Sequence, residues 1–197
     1  MRSTHEEPLE LSLGEAGKGP LLQRDYWAAI RNCRISPQQF GALLAIRFAD
    51  FAPRELTRFE RVPTGAQRPL RPGDELRVHI RLAGTFGVRV LHVDANSITF
   101  GTLHGHPEAG RITFGAYRGR HGHVVFHIRS RARSSSSKYY AGFRALGEPM
   151  QLMTWTDFID RLANTVGRGV LGRIHEETHV LTSSETDTGP TYLATGD

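Results

Sequence analysis

The sequence predicts an α+β fold, a curved antiparallel β-sheet of about seven strands wrapped around a long C-terminal α-helix, which is the helix-grip architecture. Three observations predict it. Apolar and polar residues alternate with a period of two through most of the stretch from Asp74 to Arg131. Near the C-terminal end Leu152, Trp155, Ile159, Leu162 and Val166 recur at spacings of three and four, a single apolar stripe on a helix. The order of elements is strand, helix, about six antiparallel strands, long helix. An apolar sheet face and an apolar helix stripe must cover each other, because neither is stable against water. A curved sheet around a helix encloses a cavity wherever its side chains are too small to fill the space.

Taken in order, residues 1–19 are polar and glycine-containing and are expected to form a flexible N-terminal segment. The first strand falls within Leu21 to Asn32 and includes Tyr26 and Trp27. Ser36-Pro37-Gln38-Gln39 then supplies an N-cap serine, a proline at the first helical position and a glutamine three residues after the cap. Phe40, Leu43, Leu44 and Phe48 give that helix its apolar stripe, and Pro53 ends it. Glu55 to Val62 reads as a strand, followed by a Pro/Gly-rich connection through Gly73. In Asp74 to Leu82 the apolar residues take one face and the charged residues the other.

Phe86 to Asp94 and Ser97 to Leu103 flank a turn at Ala95-Asn96, and Arg111 to Tyr117 and His123 to Arg131 flank one at Gly119 and Gly122. Placing Ile112, Phe114 and Ala116 opposite Ile128, Phe126 and Val124 buries the same side of both strands. After the serines at 134–137 comes a short aromatic segment, Lys138 to Leu146, stopped at Gly147. Pro149 opens the long helix, Asp157 and Arg161 form an i,i+4 ion pair on it, and Gly167 and Gly169 mark its end. Residues 20–170 thus form the domain. Residues 171–197 are expected as a flexible acidic tail, since from His175 onward there are five acids and no Lys or Arg.

Composition narrows the function classes. The net charge of +5 invites a nucleic-acid reading, but the basic residues are spread along the chain and all are arginine except Lys18 and Lys138. Nucleic acid is therefore not the expected partner. A single cysteine, Cys33, allows no internal disulfide. No apolar run reads as a secretory signal or as a membrane span, so a cytoplasmic protein is expected.

The stretch Gly101-Thr102-Leu103-His104-Gly105-His106-Pro107-Glu108-Ala109-Gly110, with Phe114 and then Ile128-Arg129-Ser130-Arg131-Ala132-Arg133, resembles a bacterial and plant family of unknown function. Its pattern is G-T-L-x-G-H-P-E-x-G followed by a strand ending in I-R, and His104 occupies the variable position. That family is grouped with the START-like (SRPBCC, polyketide-cyclase-like) helix-grip superfamily. The resemblance implies the fold and a general capacity to hold lipids, hormones or polyketide-like molecules. It implies no particular activity.

Several residue groups compete for a functional role. His104, His106 and Glu108 stand at i, i+2 and i+4, a spacing zinc could use on an extended strand, but Gly105 and Pro107 favour a corner whose side chains satisfy turn backbone. His175-Glu176-Glu177-Thr178-His179 matches the H-E-x-x-H pattern of zinc proteases, yet it lacks the buried face that would fix a helix. His121 and His123 lie at a hairpin tip, and Cys33 has no nucleophile's surroundings. Arg129, Arg131 and Arg133 share the strand face opposite Ile128, with Arg111 across from Arg129, so an anion is expected there: Glu108, or a bound carboxylate or phosphate. Tyr139, Tyr140 and Phe143 could line a cavity mouth and Trp155 its floor.

The leading expectation is a binding protein for a small apolar or amphipathic ligand, contacted by His106, Glu108, Arg129, Arg131, Tyr139 and Trp155. No catalytic residue, metal or cofactor is expected. The alternatives are a cyclase- or hydrolase-like enzyme using His106, Glu108 and Arg129, and a protein-interaction module using the arginine-rich sheet face. Oligomeric state is not inferable from the sequence.

Overall fold

The computed structural model describes residues 9–65, 68–136 and 148–182. Its elements are β1 (Lys18–Ile30), α1 (Phe40–Phe51), β2 (Thr57–Val62), β3 (Glu75–Ile80), β4 (Gly84–Val93), β5 (Ser97–Thr102), β6 (Glu108–Arg118), β7 (Val124–Ser134), α2 (Glu148–Val166) and β8 (Val170–Leu181). The expected Lys138–Leu146 segment lies outside the described residues. All eight strands form one antiparallel sheet in the order β2-β3-β4-β5-β6-β7-β1-β8. Register shifts on β1 and between β4 and β5 mark bulges, the device that bends strands. The fold class expected from the sequence is the one observed.

The eighth strand is a correction. Residues 170–181 pair along β1 instead of trailing as a tail, with Tyr26 opposite Glu176 and Gln23 opposite His179. This is an edge strand with mostly exposed side chains, so its composition looks like that of a loose segment. Only Val170 and Ile174 pack against the core. Residues 10–12 of the expected N-terminal segment are held as well. Ser12 donates its N–H to the Thr102 carbonyl, His104 donates to Glu10, and Leu11 bridges Leu103.

The β6–β7 register is a second correction. Phe114 faces Ile128, Ala116 faces Phe126 and Ile112 faces Ser130, two residues from the expected pairing. A slip of two preserves which face each side chain takes, so alternation is satisfied by either register. Arg111 consequently lies opposite Arg131, while Arg129 faces Thr113.

The core gathers where the two helices meet the sheet. Phe158 on α2 is fully buried, and its ring packs against Phe48 of α1, Phe114 of β6 and Phe126 of β7. The expected α2 stripe is the buried one: Ile159, Leu162 and Val166 are in the core, with Leu152 and Trp155 packed against it. Gln39 accepts the Ser36 N–H at 2.9 Å at the entry to α1, as the capping signature requires. Gly41 then lets α1 approach the β4–β5 turn, donating its N–H to Ala95 at 3.0 Å. A Cβ there would stand 1.8 Å from the Asp94 carbonyl oxygen. Gly41→Ala is therefore expected to lower unfolding free energy by about 1–3 kcal/mol or more, since the clash is with backbone. Urea denaturation reads this, and an unchanged midpoint would mean that the helix is free to shift.

Candidate functional site

A cavity of ≈ 370 Å³ lies between the N-terminal half of α2 and the sheet. Its position follows from a taper in side-chain size along the inner sheet face. On β7 the inward residues run Val124, Phe126, Ile128, Ser130, Ala132, and on β6 their partners from Phe126 onward run Ala116, Phe114, Ile112, Gly110. The large residues fill the end under the C-terminal half of α2. The small ones leave the other end open, and Ser130, Ala132, Gly110 and Thr102 are in the cavity wall. Phe48, Phe59, Phe100, Phe114 and Trp155 supply aromatic lining.

One pole of this cavity is polar, and the corner after β5 builds it. Gly105 adopts φ +91°, a conformation that favours glycine, and turns the chain so that His106, Pro107 and Glu108 all reach the cavity wall. His106 Nδ1 lies 3.0 Å from the Glu108 carbonyl oxygen and 3.1 Å from the Glu108 backbone N–H, bonding one or the other according to its tautomer, and the imidazole ring meets Phe86 edge to face. The corner expected from Gly-His-Pro-Glu-x-Gly is thus present, and its side chains also face the cavity. Burial holds His106 down to about 4, so the ring is neutral near pH 7.

Glu108 is bound from two further elements. Its Oε1 accepts from Arg24 Nη1 at 3.1 Å and its Oε2 from Gln151 Nε2 at 2.6 Å. The side chains of Arg24 and Glu108 are 4% and 14% exposed, so this is a buried pair. Burial pushes the Glu108 carboxyl up, and the Arg24 charge opposes that without cancelling it. Arg24 was missed as a site residue. Its signal was its phase: it shares the inner face of β1 with Tyr26 and Ala28, an arginine in step with core residues.

The remaining candidates separate from this site. Arg129 and Arg131 point to the outer face of the sheet. There Arg129 Nε donates to Asp25 Oδ1 at 2.6 Å and Arg131 Nε to the Gln23 oxygen at 2.8 Å. His127 Nε2 meets the same Asp25 oxygen at 2.7 Å, and Gln23 Nε2 donates to Asp25 Oδ2 at 2.8 Å. The anion that relieves Arg129 is therefore Asp25, while Glu108 is engaged by Arg24 on the inner face. Burial would raise the Asp25 carboxyl, but the bonds and charges of His127 and Arg129 together outweigh it and hold it below its usual range.

The convergence of His106, Glu108 and Arg129 required by the enzyme alternative does not occur, since Arg129 is across the sheet; Arg24 stands where it was wanted. Trp155 lines the cavity as expected, and Tyr139 lies outside the described residues.

His175 and His179 lie on strand β8, where four residues span about 13 Å, so the helical geometry of a zinc protease is absent. His175 instead stacks on Trp27 with ring centroids 5.2 Å apart. His121 and His123 are exposed, and Cys33 Sγ donates to the Ile35 carbonyl at 3.3 Å. Among the described residues no group of three His, Cys, Asp or Glu side chains could hold a metal ion. Among them, too, no helix is long and apolar enough to cross a membrane.

A family described as a domain of unknown function, DUF1990, matches residues 51–164, more than half of the chain. The chain belongs to that family. The match runs from the end of α1 through most of α2, and so includes the cavity wall with the exception of Phe48; Arg24, which bonds Glu108, also lies outside it. Among curated proteins nothing matches. Among solved structures, a norcoclaurine synthase point mutant from Thalictrum, in complex with a transition-state analogue, is similar with a TM-score of 0.51 at 11% identity, over 75% of this chain and 98% of that one. The di-domain ARO/CYC protein StfQ of the steffimycin biosynthetic pathway is similar with a TM-score of 0.51 at 11% identity, over 75% of this chain and 51% of its own. At such identities the likeness is one of fold, and it places this DUF1990 protein among helix-grip folds.

Proposed function

We propose that this DUF1990 protein binds a small, largely apolar molecule in the space between α2 and the sheet, with the molecule's polar end at Glu108. One observation carries the reading: an aromatic-lined cavity of ≈ 370 Å³ whose wall takes in the bonded Glu108–Gln151 pair and His106. Pockets of a few hundred Å³ with apolar walls and few convergent polar groups are the usual form of small-molecule sites. His106, Glu108, Trp155 and Gln151 are its contact residues, with Arg24 holding Glu108 in place. The arginine-rich outer face offers less as a docking surface, because Asp25 and Gln23 already engage Arg129 and Arg131.

Trp155 gives the test a built-in reporter once Trp27, on the other face, is replaced by phenylalanine. The uncharged dye N-phenyl-1-naphthylamine should bind with one-to-one stoichiometry and quench Trp155. Ile112→Trp, which adds bulk to the cavity wall, should weaken binding by roughly tenfold or more while circular dichroism stays unchanged. Equal binding by that variant would place the dye elsewhere and defeat the reading.

A catalytic role on the same site has one observation in its favour. Glu108, a carboxyl pushed up by burial, stands beside a neutral imidazole, and such pairs carry out proton transfer in enzymes. If it is right, a co-purifying molecule should be recovered altered from wild type and unaltered from Glu108→Gln. Identical recovery from both would leave binding alone.

A further inference from the structure

We infer that the ligand of this cavity is an uncharged, hydroxylated hydrophobe, an alcohol or a phenol, whose oxygen docks at the Gln151–Glu108 pole; the inference rests on the cavity reading above. The observation behind it is an orphan. Gln151 Nε2 donates to Glu108, but Gln151 Oε1 is buried and has no partner among the described residues. A buried amide oxygen without a donor is costly, and native proteins rarely leave one unless something else supplies the bond.

The charges at the pole decide what that something is. Arg24 and Glu108 neutralise each other at Gln151, and of the other arginines in the wall Arg81 follows β3 while Arg111 is in phase with the outer face of β6, opposite Arg131. A carboxylate brought to Gln151 Oε1 would set acceptor against acceptor beside a second carboxylate. An ammonium would be stripped of water next to Arg24, a like charge. A hydroxyl answers the orphan at no charge cost. It does so in either amide orientation: with the amide reversed, Glu108 donates to Oε1 as a neutral acid, the orphan becomes an N–H, and the same hydroxyl accepts from it. The aromatic lining selects the remainder of the molecule as flat and apolar.

The test uses three matched probes, 2-naphthol, naphthalene and naphthalene-2-carboxylate, titrated against the Trp27→Phe protein at pH 7. The naphthol should bind about ten- to hundredfold more tightly than naphthalene, the penalty for leaving a buried polar group unanswered. The carboxylate should be the weakest. In Gln151→Leu the naphthol should fall to the level of naphthalene while naphthalene holds or improves. Gln151→Met, which keeps the side-chain length, stands in if the leucine variant does not fold. Naphthalene binding with no hydroxyl preference would overturn the inference and leave the apolar cavity standing. So would a naphthol preference that survives loss of Gln151, or a carboxylate that binds as well as the naphthol. Failure of all three probes to bind would defeat the cavity reading along with it.

Discussion

Arg24→Met should destabilise the protein by about 3–5 kcal/mol at pH 7, because it leaves the Glu108 carboxylate in an apolar wall without its cation. Methionine roughly preserves the volume of the arginine stem, so the loss reports charge more than packing. The stranded carboxyl escapes by taking up a proton, which gives the prediction a pH signature. Glu108 already has its folded-state pKa raised above the value of 4.5 that it has when unfolded. Its contribution is most favourable below that unfolded value and is lost as pH rises through the folded one. Removing Arg24 raises the folded value further, so the variant should lose more stability than wild type between acid and neutral pH. The double variant Arg24→Met/Glu108→Leu should regain most of the loss and show no such slope, as apolar replacement of a buried pair is often neutral. Chemical denaturation of these three proteins and of Glu108→Leu at pH 5 and pH 8 completes the cycle. An undiminished loss in the double variant would mean that Arg24 acts through its packed stem.

Asp25→Ala should cost a similar amount, about 3–5 kcal/mol, through a different cluster. One carboxylate there accepts from His127, Arg129 and Gln23, joining residues of β1 and β7 on the outer sheet face. The side chains of Asp25 and Arg129 are 5% and 11% exposed, so solvent cannot take the carboxylate's place. Asp25→Asn, which keeps the shape and loses the charge, should cost less, about 1–3 kcal/mol. The pH dependence runs opposite to that of Glu108. Asp25 is held below its unfolded value of 3.8, so its contribution is present above that pH and is lost as pH falls through the folded value. Wild type should therefore lose its margin over Asp25→Asn below about pH 4. A margin that is constant through that range would assign the cluster's effect to shape alone.

The two clusters mark where sequence patterning runs out. Period-two alternation tells which face a strand residue takes, and it assigned Arg129 and Arg131 correctly to the face opposite Ile128. It carries no information about what else lies on that face. Asp25, more than a hundred residues away, reaches Arg129 because β1 inserts between β7 and β8. Arg24 shows the converse. Its phase with Tyr26 and Ala28 announced a buried arginine, but a partner for it could be named only once β1 was known to lie near the corner at Glu108.

The cavity itself stands between these cases. The run from Phe126 and Ile128 to Ser130 and Ala132, in phase on one strand, already contained the taper that leaves one end of the sheet unfilled. The corner at Gly105 was equally local, since glycine, proline and a turn-bonding histidine specify it without distant help. Element type, element order and sheet face were determined by the sequence alone, because each depends on neighbours a few residues away. Register, the edge strand β8 and the pairing of Arg24 with Glu108 were decided only by the tertiary structure. A two-residue slip leaves every side chain on its own face, an exposed edge strand has no apolar pattern to announce it, and a buried charge chooses its partner by distance through space.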